Sequence, residues 1–132
     1  MLEPRDYQKR SLKALEDYLR LAVLHNAKTA FVLQTDRPYR PVPQLPDLPY
    51  VCLRVPTGGG KTLMACHALG IATTEFLQAE RAVCLWLVPT NTIRDQTLGA
   101  LRDRKHPYRQ ALDAQFSGRV SVMDSTEALY VQ

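Results

Sequence analysis

Spaced apolar residues in the first part of the chain give way to continuous apolar runs further on, and that change divides it. Across residues 6–33, Leu12, Leu15, Leu19, Ala22 and Val23 recur at three- and four-residue spacing, which predicts a helix with one apolar stripe. Glu16 and Arg20 stand four apart with the acid on the N-terminal side, the favourable order for a helical ion pair. Pro4 and Asp6 suit a helix start, since proline fits the first turn and aspartate can cap it. The spacing then stops. Prolines at 38, 41, 43, 46 and 49 forbid a helix or central strand and predict an extended, solvent-exposed connector. A proline-rich ligand for another protein's groove is the alternative.

From residue 50 the apolar residues cluster. Val51 to Val55, broken only by Arg54, reads as a buried strand, and Leu63–Phe76 as a helix apolar enough to pack directly on a sheet. Residues 81–88 form a near-continuous apolar run, the pattern of a central parallel strand covered on both faces. Pro89-Thr90-Asn91-Thr92 ends it and can cap a helix from about residue 92 to 104. A short helix over 108–116 and a third strand over 119–123 follow. Asp124-Ser-Thr-Glu127 has the form of a capping box, so a helix should start there. Three strands alternating with helices predict an α/β fold with a parallel sheet. The expected divisions are an N-terminal helical segment over 1–34, a proline-rich connector over 35–49 and a lobe over 50–132.

Composition narrows the class. At 132 residues, 45% hydrophobic and 23% charged, the chain suits one ordinary globular domain and is too short for two. No apolar run reaches the length of about 18 residues needed to cross a bilayer, and the first residues lack the apolar core of a signal peptide. A cytoplasmic protein with no membrane partner is expected. Cys52, Cys66 and Cys84 sit in apolar surroundings without CxxC spacing, which predicts buried, reduced thiols rather than disulfides or metal ligands. His25, His67 and His106 form no ligand cluster with them. The net charge of +4 permits a polyanionic partner without demanding one. The basic stretch from Arg102 to Arg109 could track a nucleic-acid backbone or simply be a solvated face.

The most specific chemistry lies between the first predicted strand and the helix after it. There, Pro56 and Thr57 precede Gly58, Gly59 and Gly60, and Lys61-Thr62 open the helix. Glycines allow positive φ and close approach, so consecutive backbone N–H groups can converge on phosphate oxygens. The helix start adds unpaired N–H groups and the positive end of its dipole. Lys61 would reach the β/γ-phosphates of a nucleoside triphosphate, and the Thr62 hydroxyl would ligate magnesium. Val55 stands where the general phosphate-loop pattern has its first glycine.

Three motifs in order resemble the superfamily 2 helicases and translocases. Arg5-Asp-Tyr-Gln8 looks like their adenine-sensing glutamine motif. Val55-Pro-Thr-Gly-Gly-Gly-Lys-Thr62 resembles their motif I, in which the first glycine is commonly replaced. Val88-Pro-Thr-Asn-Thr-Ile-Arg-Asp-Gln96 is similar to motif Ia. Within that superfamily the best match is the DEAD/DEAH-box-like motor subunit of type III restriction enzymes, and the resemblance spans nearly the whole chain. It implies a P-loop, RecA-like three-layer lobe with about three of its strands present and an N-terminal helix in front. It also implies that Gln8, helped by Arg5, reads adenine, and that Thr57, Gly58, Gly59, Gly60, Lys61 and Thr62 hold ATP and magnesium. Lys61 and Thr62 would serve the chemistry, and Thr90 and Arg94 would contact the backbone of a nucleic acid, DNA rather than RNA.

Such motors hydrolyse ATP with an Asp-Glu pair after a strand and an arginine finger from a second lobe. No Asp-Glu pair follows any predicted strand here. The expectation is therefore the front part of a motor, inactive by itself, whose remainder would be supplied in cis or in trans. Two other readings stand beside it. One is a small stand-alone phosphotransferase or nucleotide switch with Asp124 as its magnesium carboxylate. The other is a non-enzymatic interaction module or the product of a split or decayed gene.

Overall fold

A computed structural model describes residues 2–131. Among the described residues six α-helices carry the fold: α1 (Asp6–Leu24), α2 (Ala27–Thr35), α3 (Lys61–Ile71), α4 (Asn91–Arg102), α5 (Pro107–Phe116) and α6 (Ser125–Ala128), with α3 running on into a π-helical turn over Ala72–Leu77. The apolar stripe predicted for the first helix is the buried face of α1: Leu12, Leu15, Leu19 and Ala22 are all buried, with Tyr18 beside them, whereas Val23 is exposed. Each leucine removed from water contributes about 1.5–3 kcal/mol, so this stripe fixes α1 in place. The Glu16–Arg20 pair forms at 2.7 Å and extends to Glu75 on the π-helical turn at 2.9 Å, but an exposed network of this kind adds little.

The expected single helix over 6–33 is two. His25 ends α1, and the side chain of Asn26 accepts from the Thr29 N–H at 2.7 Å to cap α2. The turn folds α2 back on α1. The proline-rich segment is also tied down. Tyr39 is buried, its ring 5.4 Å from that of Phe31. Its hydroxyl donates to the Leu48 carbonyl at 2.9 Å and accepts from the Tyr50 N–H at 2.8 Å, so residues 39–50 close into a loop.

Helix α3 is central. Ala68 and Ile71 pack against the α1–α2 cluster of Leu15, Tyr18, Leu19, Ala22 and Ala30. Leu63 and Cys66 belong to a second cluster with Leu101 of α4 and Ala111 and Leu112 of α5. A helix apolar on all sides is one buried on all sides. Here its partners are helices.

The expected α/β fold with a parallel, RecA-like three-layer sheet is not what forms. Among the described residues there is no strand, only an isolated antiparallel bridge between Val42 and Leu45. The three predicted strands are present as irregular segments that dock singly on the helices. Val51 and Leu53 lie against the first cluster, and Trp86, Val120 and Val122 against the second. Sheet strands are stabilised by a neighbour about 4.8 Å away that completes their hydrogen bonds, and among the described residues no backbone hydrogen bond joins these segments to one another. Val83 is 101% exposed, Leu85 82% and Leu87 81%, so the run at 81–88 covers one face, not two. The same cause corrects the thiols: Cys66 is buried, but Cys52 and Cys84 are exposed on these segments, and all three are free. Burial raises the Cys66 thiol to about 11.

Candidate phosphate-loop site

The site is built where residues 55–60 run into α3. Pro56 accepts from the Gly59 N–H at 2.9 Å and closes a tight turn. Gly58 and Gly60 have φ of +75° and +78°, the left-handed region that side chains resist. Gly59 has a different reason to be glycine. It is buried, and a Cβ there would stand 2.5 Å from a methyl of Val55 and 2.7 Å from the Pro56 carbonyl oxygen. At Gly60 a Cβ would collide with the Gln8 amide.

Gly60 is the residue in front of α3 and supplies no side-chain cap. The first intrahelical bond runs from the Met64 N–H to the Gly60 carbonyl at 3.0 Å. The N–H groups of Lys61, Thr62 and Leu63 therefore have no acceptor within the helix, and the positive end of its dipole lies beside them. Lys61 is exposed and takes part in none of the ion pairs among the described residues. Thr62 is half-buried next to it. An uncapped helix start, a glycine turn and an unpaired ammonium together suit a polyphosphate.

The structure brings the start of α1 to this loop. Gln8 is buried, and its Nε2 donates to the Gly59 carbonyl at 2.6 Å while its Oε1 accepts from the Arg5 N–H at 2.7 Å. Tyr7 donates to that same Gly59 carbonyl at 2.7 Å. In the sequence, Tyr7 is marked only by its place beside Gln8 within Arg5-Asp-Tyr-Gln8.

The other candidates, at the start of α4 and beyond, have local partners. The Thr90 hydroxyl accepts from the Ile93 N–H at 3.2 Å and caps α4. Arg94, more than half exposed, pairs with the adjacent Asp95 at 3.2 Å. Asp124 caps α6, accepting from the Glu127 N–H at 2.8 Å. That bond, with the Arg102 charge further off, holds its carboxyl below the usual aspartate range. The basic stretch divides. Arg102 pairs with Glu127 at the surface, whereas Arg109 is buried and fully engaged within the protein.

Replacing Gly60 by alanine is expected to injure loop and fold together. A side chain at this φ costs about 1–2 kcal/mol, and its Cβ would push the Gln8 amide off the Gly59 carbonyl. Thermal denaturation should show a midpoint several degrees lower. An unchanged midpoint would mean that Gln8 does not pack on the loop.

Over residues 1–131 the chain matches the family described as type III restriction enzyme, res subunit. It belongs to that family, one of helicase-type, ATP-dependent motors. No curated protein and no solved structure matches it. No helix among the described residues is long and apolar enough to cross a membrane.

Proposed function

We propose, proceeding from that membership, that this chain is the nucleotide-binding part of an ATP-driven DNA translocase or helicase of a type III restriction-type system. The observation that carries the reading is the uncapped start of α3 directly behind the Gly58–Gly60 turn, with Lys61 unpaired beside it. Gly58, Gly59 and Gly60 would surround the phosphates, Thr57 would flank them, and Lys61 would neutralise the β/γ end. Helicase-type domains of this family use ATP and magnesium. No group of three or more His, Cys, Asp or Glu side chains is placed to hold a metal by itself among the described residues. Magnesium would therefore arrive with the nucleotide, held by phosphate oxygens and the Thr62 hydroxyl.

Gln8 and Arg5 would meet the adenine. The Gln8 amide retains one N–H and one lone pair beyond the bonds it already makes. Thr90 and Arg94, at the start of α4, would touch a nucleic-acid backbone, DNA in preference to RNA. The remaining catalytic parts, an Asp-Glu pair and an arginine finger, would come from elsewhere in cis or in trans.

Calorimetric titration tests this. Magnesium–ATP should bind at a single site, and inorganic tripolyphosphate should compete for it. Failure of both to bind at millimolar concentration would overturn the reading. With DNA present the chain should show no turnover. A rate on the order of 1 per second or more would mean that it carries its own hydrolytic groups.

A further inference from the structure

One carbonyl oxygen in the loop receives two side-chain hydrogen bonds from the start of α1. Gly59 O accepts from the Tyr7 hydroxyl at 2.7 Å and from Gln8 Nε2 at 2.6 Å, which fills both of its lone pairs. The direction of the Gln8 amide is itself fixed, because its oxygen faces the Arg5 N–H at 2.7 Å. Only its nitrogen end can then face a carbonyl.

The consequence follows from peptide geometry. The bond between Gly59 and Gly60 is trans, so the Gly60 N–H points opposite to the Gly59 C=O. Pinning the carbonyl toward α1 turns the Gly60 N–H away from α1. Without the two donors this peptide, flanked by glycines on both sides, could rotate at little steric cost.

Resting on the phosphate-loop reading above, we infer that Tyr7 is a positioning residue for phosphate binding: its hydroxyl, with the Gln8 amide, holds the Gly59–Gly60 peptide so that the Gly60 N–H is presented to a phosphate oxygen. Gln8 alone would leave one lone pair of that carbonyl open, and the Tyr7 hydroxyl fills it. The Tyr7 hydroxyl holds the carbonyl whether or not Gln8 is occupied.

Tyr7→Phe removes one oxygen and keeps the ring. In calorimetry on the whole chain, this variant should bind tripolyphosphate and magnesium–ATP about 3–10-fold more weakly, the loss expected for one hydrogen bond. The two losses should be equal, because adenine contacts are untouched. The measurement belongs well below the denaturation midpoint of both proteins, where a merely structural role would change neither affinity. Equal affinities for wild type and variant would overturn the inference while leaving the phosphate loop standing. If the wild type binds neither ligand, the loop reading fails first. A second measurement needs no variant. In the ¹⁵N spectrum of the wild type, the Gly60 amide should move on adding tripolyphosphate, and a stationary Gly60 beside moving Lys61 and Thr62 signals would also overturn it.

Discussion

Replacing Arg109 by alanine is expected to lower folding stability by about 3–5 kcal/mol, the range for stripping one partner from a buried charged network. The Arg109 side chain is only 6% exposed. Its Nε donates to Asp113 Oδ1 at 2.8 Å, Nη1 to the Leu101 carbonyl at 2.9 Å and Nη2 to the Val120 carbonyl at 3.0 Å. One guanidinium thus joins the end of α4, the body of α5 and the segment after it. The Leu101 carbonyl is among those left open at a helix C-terminus, so Arg109 also serves as its cap. Alanine would leave that carbonyl, the Val120 carbonyl and the Asp113 carboxylate short of partners beside a new cavity. Lysine would keep a charge but could not span all three acceptors. Arg102→Ala provides the contrast. That side chain is 42% exposed and pairs with a half-exposed Glu127, so its loss should stay within about 1 kcal/mol. Urea denaturation of both variants decides the matter. Similar midpoints for the two would show that Arg109 is not held as described.

That contrast shows what the sequence could not convey. From Arg102 to Arg109 it presents a basic stretch with one acid, Asp103, and such a stretch says nothing about which side chain turns inward. The Arg109–Asp113 spacing of four was a readable hint of an internal pair; the two carbonyls were not, because they lie on other elements. Helix starts were legible for the opposite reason. Asp124 and Thr90 act within three residues of themselves, and a local bond leaves a local trace. Asn26 left the same trace two residues after α1 ends, but the apolar spacing continued across it and hid the break.

The sheet is the largest error and the most instructive. Apolar runs at 51–55, 81–88 and 119–123 report that these residues prefer an apolar surface. They do not report that another extended segment lies alongside. Strand preference is mostly a response to such neighbours, and here the apolar surface offered is helical: α1 and α2 for the first run, α3 and α5 for the others. The glycine turn was legible because its constraint is steric and local, set by positive φ at Gly58 and Gly60 and by Val55 and Pro56 crowding Gly59. The role of Tyr7 was not, since its acceptor lies 52 residues away.

Lys61→Ala should leave the fold intact and remove most of the affinity for nucleotide. The side chain is exposed and unpaired at the first position of α3, and surface substitutions of this kind usually shift stability by no more than about 0.5 kcal/mol. Lys61 makes no ion pair among the described residues and sits at the positive end of the α3 dipole. A bound polyphosphate would supply the opposite charge at a helix start whose first N–H groups lack partners within the helix. Hydrogen bonds to charged groups contribute about 1.5–3 kcal/mol each, so alanine should weaken magnesium–ATP binding by about 10–100-fold or more. Tripolyphosphate should suffer the same factor, whereas the denaturation midpoint without ligand should not fall. Raising the salt concentration should narrow the gap between wild type and variant, because screening weakens what Lys61 adds. An alanine variant that binds as tightly as the wild type would place the phosphates away from the start of α3, and the ATP site with them.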